Sequence, residues 1–269
     1  MRYIKFKESY AERKEEYFHS KFVKGFIVLA FLSIVIFIGL YLSIKLKSFL
    51  TFLMVLFLAI ILFRFWGPKL DYFLYRRDIA GKGIEGEDEF FNVLKSIGDD
   101  YIVIQNYEVP ETRSGDIDFL IVGPKGIFIF EIKNYNGVFR ICSTNEIFKK
   151  KWHKNILKPH YELLNLEYNP LTQLLNQKGI IEKILKDSNI HLPVYPNLVF
   201  INGEIESYPS NYPIFILDKS HYKRFPSNLF KMDEIRDYSL ELETKILEAL
   251  KIDKSKIQII TPQNITKFI

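Results

Sequence analysis

The amino-acid sequence of 269 residues predicts an α/β protein in which a mixed sheet is flanked by helices and preceded by a two-helix transmembrane hairpin. Two long apolar runs near the N-terminus predict the hairpin. Short segments rich in Ile, Val, Phe and Tyr, separated by glycine-containing turns, predict strands between residues 101 and 142. Helical patterns stand before and after these strands, and such an alternation produces a sheet covered by helices.

Composition narrows the class of protein without identifying it. The formal net charge of +5 suits a nucleic acid or an anionic membrane surface as partner but requires neither. Cys142 is the single cysteine, which excludes an internal disulfide and a zinc site built from several cysteines. The abundance of Ile, Lys, Phe and Tyr fits an AT-rich bacterial genome.

The first apolar run, residues 25–44, contains twenty residues without a charge. At about 1.5 Å per residue, a helix of this length spans roughly 30 Å, the thickness of the hydrocarbon layer of a bilayer. The second run, residues 48–63, is shorter, but Phe65 and Trp66 extend it into the membrane interface. A buried core helix is the alternative for each run, and it fits the first poorly because that run is long and apolar on every face. Only residues 45–47 separate the two runs, so we expect a hairpin that crosses the bilayer twice.

The charges that flank the hairpin predict its orientation. Seven Lys and Arg residues precede it, four stand at its end or after it (Arg64, Lys69, Arg76 and Arg77), and two lie in the connecting turn. The positive-inside rule places both ends in the cytoplasm, and we expect the protein in the inner membrane of the cell. The predicted parts are a cytoplasmic N-terminal segment (1–24), the hairpin in the lipid bilayer (25–66), a juxtamembrane connector (67–80) and a cytoplasmic domain (81–269) with its core at about 81–200.

An acidic helix is predicted over residues 83–97. Glu87 lies on the same helical face as the apolar Ile84 and Phe91, whereas the neighbouring acids fall on other faces. Glu87 is therefore expected to point inward. The G-x-G-x-x-G spacing that starts at Gly81 does not indicate a dinucleotide site, because no strand precedes it and the acidic run would repel a pyrophosphate.

The remaining elements follow from periodicity and from turn and cap residues. The second helix has a favourable start, with Asn169 as its cap and Pro170 at its first position. The predicted order is four strands (101–109, 116–123, 126–133, 137–142), an irregular basic stretch (144–160), a helix (169–187), two strands (194–202, 212–218) and a final helix (231–250).

The strands 116–123 and 126–133 are predicted to form a hairpin that carries chemistry. If Pro124 and Lys125 form a two-residue turn, the numbers of facing residues sum to 249, and Asp118 lies opposite Glu131. Facing Cβ atoms of an antiparallel pair are about 4.5–5.5 Å apart, so the two carboxylates repel each other. A hard divalent cation such as Mg²⁺ or Mn²⁺ would convert this repulsion into ligation. A three-residue turn would shift the register by one residue, and Asp118 would no longer face Glu131.

Glu131 and Lys133 are two residues apart, so they lie on one face of the strand. In the same register Lys133 faces Asp116, which is either a further acid of the site or the partner of Lys133. An acid followed by acid-x-lysine on a hairpin resembles the active site of the PD-(D/E)XK nucleases. More narrowly, the chain resembles the nuclease-related domain (NERD) family in "GIEGEDEFFNVL", "SGDIDFLIVGPKGIFIFEIKNYNG" and "NPLTQ", over about residues 81–200.

This resemblance implies a restriction-endonuclease-like fold and a set of functional residues. Asp118, Glu131 and Lys133 would form the catalytic core, Glu87 would complete the metal environment, and Gln173 would lie nearby as a polar residue of the following helix. Asp118, Glu131 and Glu87 would bind Mg²⁺ or Mn²⁺, and Lys133 would position or deprotonate the attacking water. The chain departs from the superfamily name at Ile117, which stands where a proline would precede the aspartate.

A basic segment, "KKKWHK", is a candidate nucleic-acid contact through Lys149, Lys150, Lys151, Trp152 and Lys154. Lysines bind phosphates and an exposed tryptophan stacks on a base. A solvated loop near an anionic membrane explains the same residues equally well, so both interpretations stay open.

The sequence therefore predicts a membrane-anchored, Mg²⁺-dependent nuclease, with DNA favoured over RNA as substrate. Two alternatives belong to other classes. One is a catalytically inactive nuclease-fold module that binds nucleic acid or a protein partner at the membrane. The other is a structural membrane protein whose domain scaffolds an assembly. Retention of the acids and the lysine together favours catalysis, because a binding module has no need of all of them.

Overall fold

The computed structural model describes residues 1–109, 115–152, 159–166, 169–235 and 238–260. The chain divides into two compact units. Residues Tyr10–Ile84 form a helical unit, and Met1–Ser9 together with Glu85–Ile269 form the unit that contains the strands. The first nine residues thus belong to the same unit as the predicted cytoplasmic domain, although the helical unit separates them from it in sequence.

The described residues contain five α-helices and eleven strands. The helices are α1 (Tyr10–Lys45), α2 (Phe49–Leu94), α3 (Pro170–Asp187), α4 (Phe225–Phe230) and α5 (Leu240–Ala249). The strands are β1 (Arg2–Lys5), β2 (Ile102–Glu108), β3 (Asp116–Gly123), β4 (Gly126–Lys133), β5 (Gly137–Ile141), β6 (Ile147–Lys151), β7 (His160–Leu163), β8 (Val194–Phe200), β9 (Gly203–Ser207), β10 (Phe215–Leu217) and β11 (Gln258–Ile259).

Helices α1 and α2 are each long and apolar enough to cross a membrane. In their most apolar stretches, 6% of the α1 residues and none of the α2 residues are buried, so these stretches are not the core of a soluble domain. The two helices pack antiparallel inside their unit. A Cβ atom placed on Gly25 or Gly39 of α1 would lie 2.8 or 3.1 Å from side-chain atoms of Leu70 or Val55 of α2, and one placed on Gly83 of α2 would lie 3.2 Å from Ala11 of α1.

The structure adds secondary structure to the two stretches that flank the predicted hairpin. The predicted connector, residues 67–80, is helical, because its Leu, Lys, Arg and Ala residues favour helix and α2 continues past Pro68. The predicted N-terminal segment, residues 1–24, is split: its first residues form β1 and Tyr10 already begins α1. A strand of four residues carries too short an alternation to be recognised from sequence.

The described strands form a seven-stranded mixed sheet and a smaller four-stranded sheet. The order in the large sheet is β10-β8-β4-β3-β2-β1-β11, with β1–β2, β4–β8 and β8–β10 parallel and the other pairs antiparallel. The order in the small sheet is β7-β6-β5-β9. This architecture confirms the predicted α/β class with a mixed sheet flanked by helices.

Alternate residues of the large sheet enter two different cores. On one face, which we call the α3 face, Ile127 and Ile129 pack with Leu171 and Leu174 of α3. On the opposite face, Phe128 and Phe130 pack with the end of α2, with α4 and with the turn that precedes α4. Because Glu131 and Lys133 continue the series of Ile127 and Ile129, their side chains belong to the α3 face.

Capping side chains set where two of the helices begin. The side chain of Asn169 accepts a hydrogen bond from the backbone N–H of Leu171 at 2.9 Å, which confirms the predicted start of α3. The predicted final helix begins later than expected, at Leu240, because Ser239 caps it by accepting from the N–H of Leu242. The stretch predicted as irregular, 144–160, contains β6 and the first residue of β7.

Candidate active site

The hairpin of β3 and β4 has the predicted register. Pro124 and Lys125 form a two-residue turn, and five facing pairs lead from Gly123–Gly126 to Phe119–Phe130. The ladder ends one position before Asp118 and Glu131. There, Asp118 Oδ2 accepts a hydrogen bond of 2.6 Å from the backbone N–H of Ile132. The hydrogen bond fixes the orientation of the carboxylate at the end of the ladder.

The other neighbour of β3 is irregular at the same level. The pairing of β2 with β3 is interrupted at Asn106, opposite Asp118, where the backbone adopts a φ of +57°. Asparagine tolerates this left-handed conformation better than most residues. Asn106 is buried, and its Nδ2 donates to the carbonyl of Lys7 at 2.9 Å. Asp118 therefore lies where both adjacent ladders depart from regular pairing, a type of irregularity that clusters at functional sites.

Glu131 is held from two sides. Lys133 Nζ lies 2.6 Å from Glu131 Oε1, and Gln173 Nε2 donates to Glu131 Oε2 at 2.8 Å. Glu131 is only 3% exposed, so these contacts replace the water that its carboxylate oxygens lose on burial. Gln173 lies in the first turn of α3, and the cap at Asn169 fixes that turn against the sheet. The structure thus brings together three residues that the sequence predicts for one site.

Glu87 points inward, as predicted. It is 7% exposed, whereas Glu85 and Asp88 are exposed on the other faces of α2. The neighbouring Gly86 allows a close approach, because a Cβ atom there would lie 2.9 Å from Cβ of Asn134, just after β4. A larger residue would push the end of α2 away from the end of β4 and withdraw Glu87.

The three acids are electrostatically coupled. Burial, together with the negative charges of Glu131 and Glu87, raises the pKa of Asp118 well above its ordinary value. The charge of Lys133 and the N–H of Ile132 oppose this increase without cancelling it. Asp118 is half-buried and the Lys133 side chain is 23% exposed, so the site is not closed off from solvent.

The electrostatic environment of Lys133 favours its charged form. Burial alone lowers the pKa of its ammonium group, but the attraction of Glu131 and Asp118 outweighs burial and raises the pKa above its ordinary value. An ammonium group stabilises negative charge and orients water, but it cannot accept a proton. Both roles predicted for Lys133, positioning and deprotonation of the attacking water, stay predictions.

The donor set suits a hard divalent cation. Among the described residues, no group of three or more His, Cys, Asp or Glu side chains is arranged to hold a metal ion. Mg²⁺, however, is commonly held by one or two carboxylates together with water and substrate phosphates. Asp118 and Glu131 supply two such carboxylates, and their mutual repulsion is the electrostatic condition that a cation relieves. The metal-binding roles of Asp118, Glu131 and Glu87 stay predictions.

Comparison with protein families gives a match over the part of the chain that contains this site. Residues 82–201 match the family described as Nuclease-related domain (NERD). The chain carries a NERD domain. The matched range contains Glu87, Asp118, Glu131, Lys133 and Gln173, and it excludes β1, α5 and β11. Searches of curated proteins and of solved structures found no match.

Two polar residues near the candidate site, Lys7 and Gln177, are not anticipated by the sequence analysis, and both contact Asp116. Asp116, expected opposite Lys133, forms an ion pair with Lys7, with 2.8 Å between Lys7 Nζ and Asp116 Oδ1. The backbone carbonyl of Asp116 accepts from Gln177 Nε2 at 3.1 Å. Gln177 follows Gln173 by one helical turn, so helical spacing could have identified it. Nothing in the local sequence signals Lys7, because the strand that precedes it, β1, joins the sheet through distant partners.

The five residues predicted to contact nucleic acid differ in their surroundings. Three of them, Lys149, Lys150 and Lys151, lie on β6, Trp152 follows and is 70% exposed, and Lys154 lies outside the described residues. Lys150 Nζ pairs with Glu206 at 2.7 Å and Lys151 Nζ pairs with Glu162 at 3.2 Å. Lys149 makes no ion pair with a described residue, and its Nζ lies 5.8 Å from the ring centre of Phe139.

Proposed function

We propose that the NERD domain is a divalent-metal-dependent nuclease that hydrolyses phosphodiester bonds, with DNA as its substrate. One observation carries the proposal: Asp118, Glu131 and Lys133 meet at the end of the β3–β4 ladder, with hydrogen bonds that fix both carboxylates. Two acids and a lysine on adjoining strands form an arrangement suited to phosphoryl chemistry, in which positioning and charge stabilisation dominate.

Each residue has a role that its contacts support. Asp118 and Glu131 would hold Mg²⁺ or Mn²⁺, which when bound supplies Lewis-acid polarisation of the phosphate and acidification of a water. The N–H of Ile132 keeps Asp118 in place, and Gln173 keeps Glu131 in place. The ammonium group of Lys133 orients the attacking water and stabilises the negative charge that develops on the phosphate.

We further propose that α1 and α2 anchor this nuclease in a bilayer, with the NERD domain on the cytoplasmic side of the inner membrane. The support is the apolar and unburied surface of both helices together with the excess of Lys and Arg outside the turn that joins them. Lys69 adds a contact typical of the interface, since its Nζ lies 4.1 Å from the ring centre of Phe65.

The proposal is tested by hydrolysis assays on the full-length chain in detergent, with single- and double-stranded DNA and RNA, in the presence and absence of Mg²⁺. We expect cleavage that requires the cation and a loss of about 100- to 1,000-fold in Glu131→Ala, the scale on which single electrostatic groups act in catalysis. The full chain is used because a fragment that begins at residue 67 lacks β1. Equal behaviour of wild type and Glu131→Ala on every substrate would contradict the enzyme hypothesis and leave the binding-module alternative.

Lys149 is the residue of β6 best placed to contact the nucleic-acid backbone. It shares a strand face with Ile147, which packs in the core of the α3 face. Lys149 pairs with Phe139 of the neighbouring strand β5. The ring centre of Phe139 lies 5.2 Å from that of Phe200, and Phe200 of β8 pairs with Lys133 of β4. A continuous set of contacts therefore connects Lys149 with the candidate site, whereas Lys150 lies on the opposite strand face.

Substitution of Lys149 by glutamine is expected to weaken DNA binding and to reduce the slope of log affinity against log salt by about one, as for loss of one phosphate contact. Lys150→Gln is the matched control, because its charge is already paired with Glu206 at the surface and exposed pairs of this kind contribute little to stability. Fluorescence anisotropy over a salt series measures both variants. Equal losses in the two would contradict the assignment of Lys149.

A further inference from the structure

We propose that Lys7 is a positioning residue of the site: it holds the start of β3, and through β3 and α3 it holds Glu131. This inference rests on the proposed nuclease function. Lys7 Nζ contacts Asp116 Oδ1 at 2.8 Å and Glu108 Oε2 at 2.9 Å. The Asp116 side chain is only 11% exposed, so its ion pair is better shielded from water than an ordinary surface pair.

Asp116 connects Lys7 to helix α3 through its backbone. Its carbonyl oxygen accepts from Gln177 Nε2 at 3.1 Å and lies 3.5 Å from Gln173 Nε2. The same amide group of Gln173 donates to Glu131 Oε2 at 2.8 Å. One residue at the start of β3 thus faces Lys7 with its carboxylate and the glutamines of α3 with its carbonyl.

Gln177 makes this connection sensitive to small displacements. Its side chain is fully buried, and its Oε1 has no hydrogen-bond partner among the described residues. The bond from its Nε2 to Asp116 therefore compensates only part of the cost of burying the amide. A shift of Asp116 would leave Gln177 without that bond and would release the amide of Gln173 from its second acceptor.

The backbone of Lys7 is itself fixed beside Asp118. Its carbonyl accepts from Asn106 Nδ2 at 2.9 Å, and the N–H of Phe6 continues the pairing with β2 at 2.9 Å from the carbonyl of Gln105. Lys7 therefore contacts Asp116, two residues before Asp118, through its side chain and Asn106, opposite Asp118, through its backbone. It lies outside the residues that match the NERD family and three residues before α1 begins.

The test compares Lys7→Gln with Lys7→Arg and Glu108→Gln in the full-length protein in detergent, with kcat and KM measured on DNA in Mg²⁺. We expect Lys7→Gln to lower kcat by about 10- to 100-fold with little change in KM, the scale of a small misplacement in a catalytic site. Lys7→Arg keeps the ion pair and should restore kcat. Glu108→Gln removes the other partner of Lys7 and should leave kcat unchanged. Asp116→Asn should add nothing to Lys7→Gln, because both remove one interaction.

Backbone hydrogen exchange supplies a readout that does not depend on hydrolysis. Lys7→Gln should accelerate exchange of the amide of Ile132 and of residues 116–118, and Glu108→Gln should not. If Lys7→Gln resembles Glu108→Gln in kcat and in exchange, or if Lys7→Arg fails to restore kcat, the positioning role is refuted. If the wild type hydrolyses no substrate, the nuclease proposal fails, and the exchange comparison alone decides whether Lys7 holds Asp116.

Discussion

Replacement of Asp118 by asparagine is expected to abolish hydrolysis and, at the same time, to raise the melting temperature of the protein. Asparagine keeps an oxygen that can accept from the N–H of Ile132, so the geometry at the end of the ladder is retained. It removes the negative charge that is placed beside Glu131 and Glu87. A residue present only for structure would show the opposite result, with stability lost on substitution.

The sign of the stability change follows from the raised pKa of Asp118. The folded chain binds the proton of this carboxyl more tightly than the unfolded chain, in which an aspartate has a pKa of about 3.9. Stability therefore falls as the pH rises from about 4 through the folded pKa, and the penalty is fully present above it. Asparagine carries no such penalty, so its advantage grows from acid to neutral pH.

Thermal melts between pH 4 and 8 in a chelator measure this difference. For a domain of this size, each 1 kcal/mol of relieved repulsion corresponds to about 2–4 °C in melting temperature. Addition of Mg²⁺ should raise the melting temperature of the wild type and leave that of Asp118→Asn nearly unchanged. Glu85→Gln is the control, since it makes the same chemical change at an exposed position of α2. A lower melting temperature of Asp118→Asn at neutral pH would contradict the prediction.

Removal of residues 1–9 is expected to prevent folding of the unit that contains the NERD domain. Strand β1 is an internal strand of the sheet, between β2 and β11, and its Tyr3 and Ile4 are buried. Burial of each such side chain contributes about 1.5–3 kcal/mol. Arg2 also makes two hydrogen bonds of 2.6 and 2.7 Å to Glu243, whose side chain is 5% exposed. Loss of that partner costs on the order of 3 kcal/mol, and the sum is a large part of the 5–15 kcal/mol that stabilises a typical domain.

Excision of the helical unit should have a different result from this deletion. Ala11 and Gly83 lie side by side inside the helical unit, so a short flexible linker can replace residues 10–84 and keep β1. We expect the linker variant to be soluble without detergent and to unfold cooperatively, whereas residues 85–269 alone should not. Circular dichroism and thermal melts of both chains measure this. A cooperative transition of the fragment 85–269 would show that β1 is dispensable, and recovery of the full-length chain without detergent would contradict the membrane anchor.

Local signals account for the parts of the site that the sequence predicts. The two-residue turn at Pro124 and Lys125 fixes the register of β3 and β4, and the cap at Asn169 fixes the position of Gln173 one turn later. The acid on the inner face of α2, Glu87, follows from helical periodicity. Each of these features depends on residues within about one turn or one strand of each other, which a single sequence contains.

The features that the sequence does not reveal depend on distant partners. Strand β1 pairs with β2, about 100 residues away, and with β11, at residues 258–259, so neither pairing leaves a local pattern. Lys7 reaches the site only because β1 does. The charge of Lys133 depends on the balance between burial and two neighbouring acids, which requires coordinates. The register of β3 and β4 therefore follows from the local sequence. The contacts of Asp116, in contrast, involve residues from three distant parts of the chain.

The position of β1 also has a consequence for synthesis on the ribosome. Its pairing with β2 becomes possible once residue 108 has been made, but its other edge stays open until β11 is made. At about 5–20 residues per second, this interval lasts roughly 8–30 s, during which the nascent sheet presents an unpaired strand. The strand is only four residues long and carries Arg2 and Lys5, features that discourage pairing with other chains. Residues 2–5 therefore combine a native pairing role with protection against aggregation before β11 has been made.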